Sequence, residues 1–166
     1  RVRPLITLLA CEAVCGDWQR ALPAACAIEL IHNFSLLHDD IEDASETRRH
    51  RATAWTIWGV AQALNTGDAM WAISRLAAHR LCAAGHSDAA TLRVFRLLDE
   101  TCLHLCTGQY QDIRFESVDA VSTEAYRRMI CGKTAALLSA APAAGAILGG
   151  AGDQVVAEFA AFGREL

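Results

Sequence analysis

Apolar and polar positions along the chain predict consecutive helices separated by short polar breaks. Residues 4 to 15 form an apolar run that Gly16 and Asp17 end. Ile28, Ile31, Leu36 and Leu37 then recur at roughly helical spacing inside a second, longer helix from about Leu22 to Asp43, with Pro23 tolerable in its first turn. The polar run from Ala44 to Thr53 reads as a loop at the end of that helix. A further helix is expected from Asn65 or Thr66, both good N-caps, to about Ala84, where Gly85 stops it. The next spans about Ser87 to Glu116. Ser122 or Thr123 caps another that runs through Lys133, and Gly149, Gly150 and Gly152 mark the break before a final segment from Asp153 to Leu166. Six or seven helices and no strand signal predict an all-α fold, and the absence of a linker or repeat predicts a single domain over residues 1–166.

Composition agrees with that reading. Apolar residues make up 53% of the chain and charged residues 20%, a balance that suits packed Ala/Leu-rich helices better than disorder. A net charge of -4 argues against a general nucleic-acid binder, which needs a basic face to displace counterions from phosphates. Seven cysteines, odd in number and without a C-x-x-C pair, read as reduced cytoplasmic thiols serving as small core residues. A zinc site from Cys102, His104 and Cys106 matches no common ligand spacing. Residues 134–152 carry no charge and approach the length of a membrane span, but alanine, glycine and Pro142 favour a tightly packed core helix, so no membrane span is expected. The basic, apolar opening RVRPLITLLACEAVCG is interrupted by Glu12 and reads as a buried helix rather than a leader.

The chemistry concentrates in HDDIED. Asp39 and Asp43 are four residues apart, which on a helix puts their carboxylates on one face, about 5–6 Å apart at Cβ, where they can share a cation. Asp40 and Glu42 add charge at the helix end where the dipole is itself negative, so something positive is expected there. Oxygen-only ligands favour Mg2+, which accepts one or two carboxylates together with water and phosphate. The bland alternative is a solvated acidic helix end neutralised by Arg48, Arg49 and Arg51. Four acidic groups followed closely by an arginine pair are, however, what a metal diphosphate requires, since cations bridge carboxylate to phosphate while guanidinium forks grip the remaining oxygens.

The segment ELIHNFSLLHDDIEDASETRRHRATAW resembles the first aspartate-rich region of isoprenyl diphosphate synthases, with DDxxD at Asp39, Asp40 and Asp43 followed by Arg48 and Arg49. Three further matches fall in order: RVRP resembles the end of the family's GGKRxRP motif, GQYQD its G-Q-x-x-D element, and GKTAAL its lysine-threonine element. The likeness covers essentially the whole chain. It implies the isoprenoid synthase type of helical bundle and a homodimer. The implied reaction joins isopentenyl diphosphate to an allylic prenyl diphosphate with Mg2+. It further implies that Asp39 and Asp43 hold the metal with Asp40 assisting from the adjacent face. Arg48 and Lys133 then bind the allylic diphosphate, and Arg3, His32 and Arg49 the isopentenyl one. Gln109, Asp112 and Thr134 line the metal and allylic end. By the family pattern Phe34, with small Ser35 beside it, limits product length and suggests geranylgeranyl diphosphate, with farnesyl diphosphate second. An ideal helix sets Phe34 about 140° around from Asp39, so periodicity does not derive that role.

Family members continue through a second aspartate-rich motif absent from these residues, so the bundle is expected to be incomplete at its C-terminal side and the chain by itself to have little or no synthase activity. A class I terpene cyclase shares the fold and a DDxxD, but it has no use for a second diphosphate site, so Arg3, His32 and the Arg48/Arg49 pair argue against it. A non-catalytic helical subunit or interaction module is the third reading.

Overall fold

A computed structural model describes residues 1–166. The elements are α1 (Val2–Cys15), a single 3-10 turn (Trp18–Ala21), α2 (Leu22–Glu42), a two-stranded ribbon of β1 (Thr47–Arg48) and β2 (Arg51–Ala52), α3 (Ala54–Trp58), α4 (Val60–Ala83), α5 (Asp88–Phe115), α6 (Thr123–Ile130), a π turn (Cys131–Ala135), α7 (Ala136–Gly149) and α8 (Asp153–Glu165). The fold is all-α, as its apolar periodicity predicts.

Local chemistry accounts for most boundaries. Gly16 ends α1 with a left-handed φ of 76° while its N–H reaches the Glu12 carbonyl, and Asp17 then caps the 3-10 turn through the Gln19 N–H. Ser87 and Ser122 cap α5 and α6, each accepting from the N–H three residues on at 3.2 Å. The start of α4 departs from the reading above. Thr66 lies inside the helix, where its hydroxyl donates to the Gln62 carbonyl at 2.7 Å instead of capping a terminus. The true break is Gly59, at φ 84°, which separates α4 from the unanticipated α3. The expected loop at 44–53 contains a minimal antiparallel ribbon, pairing Thr47 with Ala52 and Arg48 with Arg51. Its two turn residues, Arg49 and His50, both have positive φ, the geometry of a two-residue hairpin turn.

The core is built from α1, α2, α4, α5 and α7, with Ile28, Ile31, Leu81, Val94, Leu98, Leu137 and Leu148 fully buried. The uncharged stretch becomes α7, whose residues from Ala140 to Leu148 are all buried, against α1 on one side and α8 on the other. Residues 123–149 form a helical run long and apolar enough to cross a bilayer, but half of its most apolar window is buried inside the bundle. That burial is the mark of a core helix. The cysteine expectation fails in part. Cys11 is buried, yet Cys15, Cys26, Cys82, Cys106 and Cys131 are exposed, because the core is filled by alanines instead.

Candidate active site

α2 presents Phe34, Ser35, His38, Asp39 and Glu42 to a cleft of about 320 Å3, α5 presents Leu105, Cys106, Gln109, Tyr110 and Ile113 to the same space, and Lys133 completes the lining. Both sets share one spacing, i, i+1, i+4, i+5 and i+8, which at about 100° per residue sweeps an arc of about 140°. Phe34 and Asp39 therefore occupy the two edges of one concave wall. Their angular separation does not keep Phe34 out of the site, because the cleft sees that whole arc.

Two glycines position the cation. A Cβ on Gly108 would collide with the Lys133 backbone nitrogen, and one on Gly132 would sit 2.9 Å from the His104 carbonyl oxygen. α5 and the π turn therefore meet backbone to backbone, which only glycine permits. The wider π turn carries Lys133 inward, and its ammonium donates to Asp112 Oδ2 at 2.5 Å while lying 4.0 Å from Asp39 Oδ1. Burial alone would lower the Lys133 pKa, but the Asp112 hydrogen bond and the charges of Asp39, Asp112 and Asp43 outweigh it and hold it above the usual lysine value. At Asp39 burial dominates and raises the carboxyl above its ordinary range. Lys133 and Arg48 oppose that shift, while Asp43 and Glu42 add to it. Gln109 lies in the same wall with both amide atoms buried and unpartnered, an orphaned donor and acceptor facing the cleft lining.

The remaining acidic and basic residues divide. Asp40 is buried, and its Oδ1 accepts from Arg48 Nε at 2.6 Å. It is turned into that ion pair rather than toward the cleft from an adjacent face, so its nearest cation is a guanidinium of the ribbon. Arg49, one residue on, is exposed at the ribbon tip. Asp43 ends α2, exposed, and Thr134 is exposed on the π turn; neither lines the cleft. A second cluster forms on α2 two turns before Asp39, where Arg3 Nη1 donates to His32 Nε2 at 3.2 Å. A guanidinium cannot accept, so that nitrogen must carry a lone pair and the imidazole is neutral. Its pKa is accordingly lowered to about 4, first by burial, then by Arg3, with Arg49 and Arg48 contributing and Glu29 opposing.

No three His, Cys, Asp or Glu side chains converge on one point, so the chain builds no closed metal cage. Oxygen donors at Asp39 and, one turn on, at exposed Asp43, with an unsatisfied Gln109 amide in the cleft that Asp39 lines, fit an open Mg2+ site instead, of the kind that phosphate oxygens and water complete. Pattern reading placed Glu42 in the acidic cluster but missed His38, Leu105, Cys106, Tyr110 and Ile113 in the lining, although the helical spacing of His38 from Phe34 was available to find it. It also missed the residues that pin the ribbon: buried Thr53 donates to the Ser45 carbonyl at 2.8 Å, as does the Trp55 indole. A larger groove of about 800 Å3 between α5, α6, α7 and α8 includes none of the acidic motif, so volume alone does not locate the site.

A cleft lined by a lysine, a half-buried aspartate and a buried, unpartnered amide beside apolar side chains is thus set between two helices of an all-helical protein. The model of the polyprenyl synthetase family matches residues 1–166, and the chain belongs to that family. It is 40% identical over 164 residues to a geranylgeranyl diphosphate synthase of Mycobacterium tuberculosis, covering 99% of this chain and 46% of that protein. It is 41% identical over 168 residues to a (2E,6E)-farnesyl diphosphate synthase of Mycobacterium bovis, with 99% and 45% covered. In structure it resembles a geranylgeranyl pyrophosphate synthetase from Pyrococcus horikoshii, with a TM-score of 0.95, 41% identity, and coverage of 99% of this chain and 49% of the other. The chain thus spans about half the length of the relatives it matches.

Proposed function

We propose that the protein carrying this chain is a Mg2+-dependent trans-prenyltransferase that adds isopentenyl diphosphate to an allylic prenyl diphosphate. The observation that carries this reading is the convergence of Lys133, Asp39 and Gln109 on one cleft with Phe34, Leu105, Tyr110 and Ile113. A prenyl diphosphate has the same two ends, one multiply charged and one apolar.

Lys133, oriented by Asp112, and the free N–H groups of Arg48, oriented by Asp40, grip the allylic diphosphate as it departs. Asp39 and Asp43 hold Mg2+, which when bound neutralises charge developing on that leaving group. Arg3 and Arg49 take the isopentenyl diphosphate, and neutral His32 orients the Arg3 guanidinium by accepting from it. Gln109 supplies its unpartnered amide to the allylic head, while Thr134, next to Lys133 on the π turn, assists once the head group is bound. The apolar wall keeps water from the allylic cation until the double bond of the isopentenyl partner attacks it. Phe34, beside small Ser35, closes the tail end, which favours geranylgeranyl diphosphate over farnesyl diphosphate.

The protein acts as a homodimer, supported by exposed Leu92, Leu103 and Tyr110, which fall within about 20° of one another on α5. A class I terpene cyclase would use the Asp39 and Lys133 cleft equally well but leaves the Arg3, His32 and Arg49 cluster without a ligand. Incorporation of labelled isopentenyl diphosphate into a longer, Mg2+-dependent product tests the assignment. Cyclic hydrocarbon release without incorporation favours the cyclase, and neither outcome with intact protein rejects both.

A further inference from the structure

Gly67 lies where α4 packs against α2, and a Cβ placed there would come within 2.5 Å of His38 Cδ2 and 3.3 Å of Cε1, with Nε2 nearer still. The His38 ring therefore rests directly on α4 backbone. Its Nε2 is 3.4 Å from the Leu64 carbonyl oxygen and 3.6 Å from Asp68 Oδ1, which fixes the ring on that surface. One turn earlier on the same helix, Phe34 meets this imidazole edge to face, with centroids 5.8 Å apart and planes at 79°. Both rings line the cleft. Phe34 cannot swing toward α4, because His38 fills the space, and His38 has that space only because residue 67 lacks a side chain.

We propose that His38, seated on Gly67, is the positioning residue that holds Phe34 across the cleft and thereby sets the length of apolar tail admitted. This rests on the prenyl-transfer reading above and adds α4 to the elements that determine product length. Opposite shifts follow from the geometry. Gly67→Ala pushes the imidazole off α4 toward Phe34 and shortens the tail space. His38→Ala opens a void into which Phe34 can turn and lengthens it. In the double variant the added methyl has no ring to displace, so the shortening disappears and the products follow His38→Ala.

The test measures product-length distributions, and kcat/KM for allylic diphosphates of increasing length, in the protein carrying this chain and in Phe34→Ala, Gly67→Ala, His38→Ala and the double variant. The ratio of longer to shorter product should fall about tenfold in Gly67→Ala and rise about tenfold in His38→Ala, the scale at which apolar pockets discriminate ligands by size. The KM for the shortest primer should move little in Gly67→Ala, since the head-group contacts are elsewhere. If Phe34→Ala alters product length while Gly67→Ala and His38→Ala do not, the prop is overturned and the functional reading stands. An active Phe34→Ala with unchanged products overturns both Phe34 as the ruler and His38 as its prop. Absence of prenyl transfer by the unaltered protein overturns the functional reading and the prop with it. Should Gly67→Ala fail to fold, His38→Ala carries the test alone, and unchanged products from it overturn the proposal.

Discussion

Asp39 is held in an electrostatically unfinished state. Burial raises its pKa and the neighbouring Asp43 and Glu42 raise it further, while Lys133, 4.0 Å away, is engaged more closely by Asp112. Removing the charge should therefore cost the ligand-free protein nothing. Asp39→Asn is expected to unfold at the same temperature as the parent or higher, while Mg2+-dependent binding of an allylic bisphosphonate, read by calorimetry, weakens at least about 100-fold, because changing even a metal's outer-shell partners costs up to that much. A lowered melting temperature with binding intact would reverse this assignment. His32 makes a prediction of a different kind. Its folded pKa is about 4 against an ordinary 6.5, so between those values the unfolded chain takes up a proton that the folded chain refuses. Stability should then fall as pH is lowered through that window, and His32→Asn should flatten the slope in thermal unfolding across it. Diphosphate bound beside Arg3 and Arg49 should raise the His32 pKa, so that binding at about pH 5 takes up protons measurable by calorimetry in buffers of differing ionisation heat.

At the level of elements, the site depends on how closely α5 approaches the π turn. Gly108 and Gly132 belong to two motifs that the sequence places more than twenty residues apart, and they meet at their glycines. Each neighbour there is backbone, which cannot rotate away. Gly108→Ala or Gly132→Ala is expected to destabilise the protein by about 1–3 kcal/mol, as overpacking does, and to slacken the Lys133 to Asp112 pair. Urea unfolding checks the magnitude. The two changes disturb one contact, so the double variant should cost less than the sum. Helix caps at Ser87 and Ser122 were legible because they depend on local hydrogen bonds. The origin of α4 was not, because Thr66 chose its own i-4 carbonyl once the surrounding helix had formed.

For the whole molecule, large apolar side chains remain outside the core. On α5, Leu92 and Leu103 are each 67% exposed and Tyr110 is 65% exposed, and Leu76 on α4 is 66% exposed. Large apolar side chains left in water along one stripe of α5 favour association. Sedimentation equilibrium should find a homodimer, and Leu92→Glu with Leu103→Glu should shift it toward monomer without lowering helical content by circular dichroism. Retention of the dimer in that variant would place the interface elsewhere.

The all-α class, most helix limits and the acidic and basic motifs were decided by the sequence, because periodicity, capping and the spacing of like charges act over a few residues. Tertiary structure decided which charges work together. It sent Asp40 to Arg48, Lys133 to Asp112, and Arg3 to His32, pairings 8, 21 and 29 residues apart. It also admitted Phe34 to the wall that holds Asp39, although an isolated helix sets them far apart around its axis. The reason is physical: a helix determines the direction of each side chain, but only the neighbours packed against it determine how wide an arc of that helix a cleft can see.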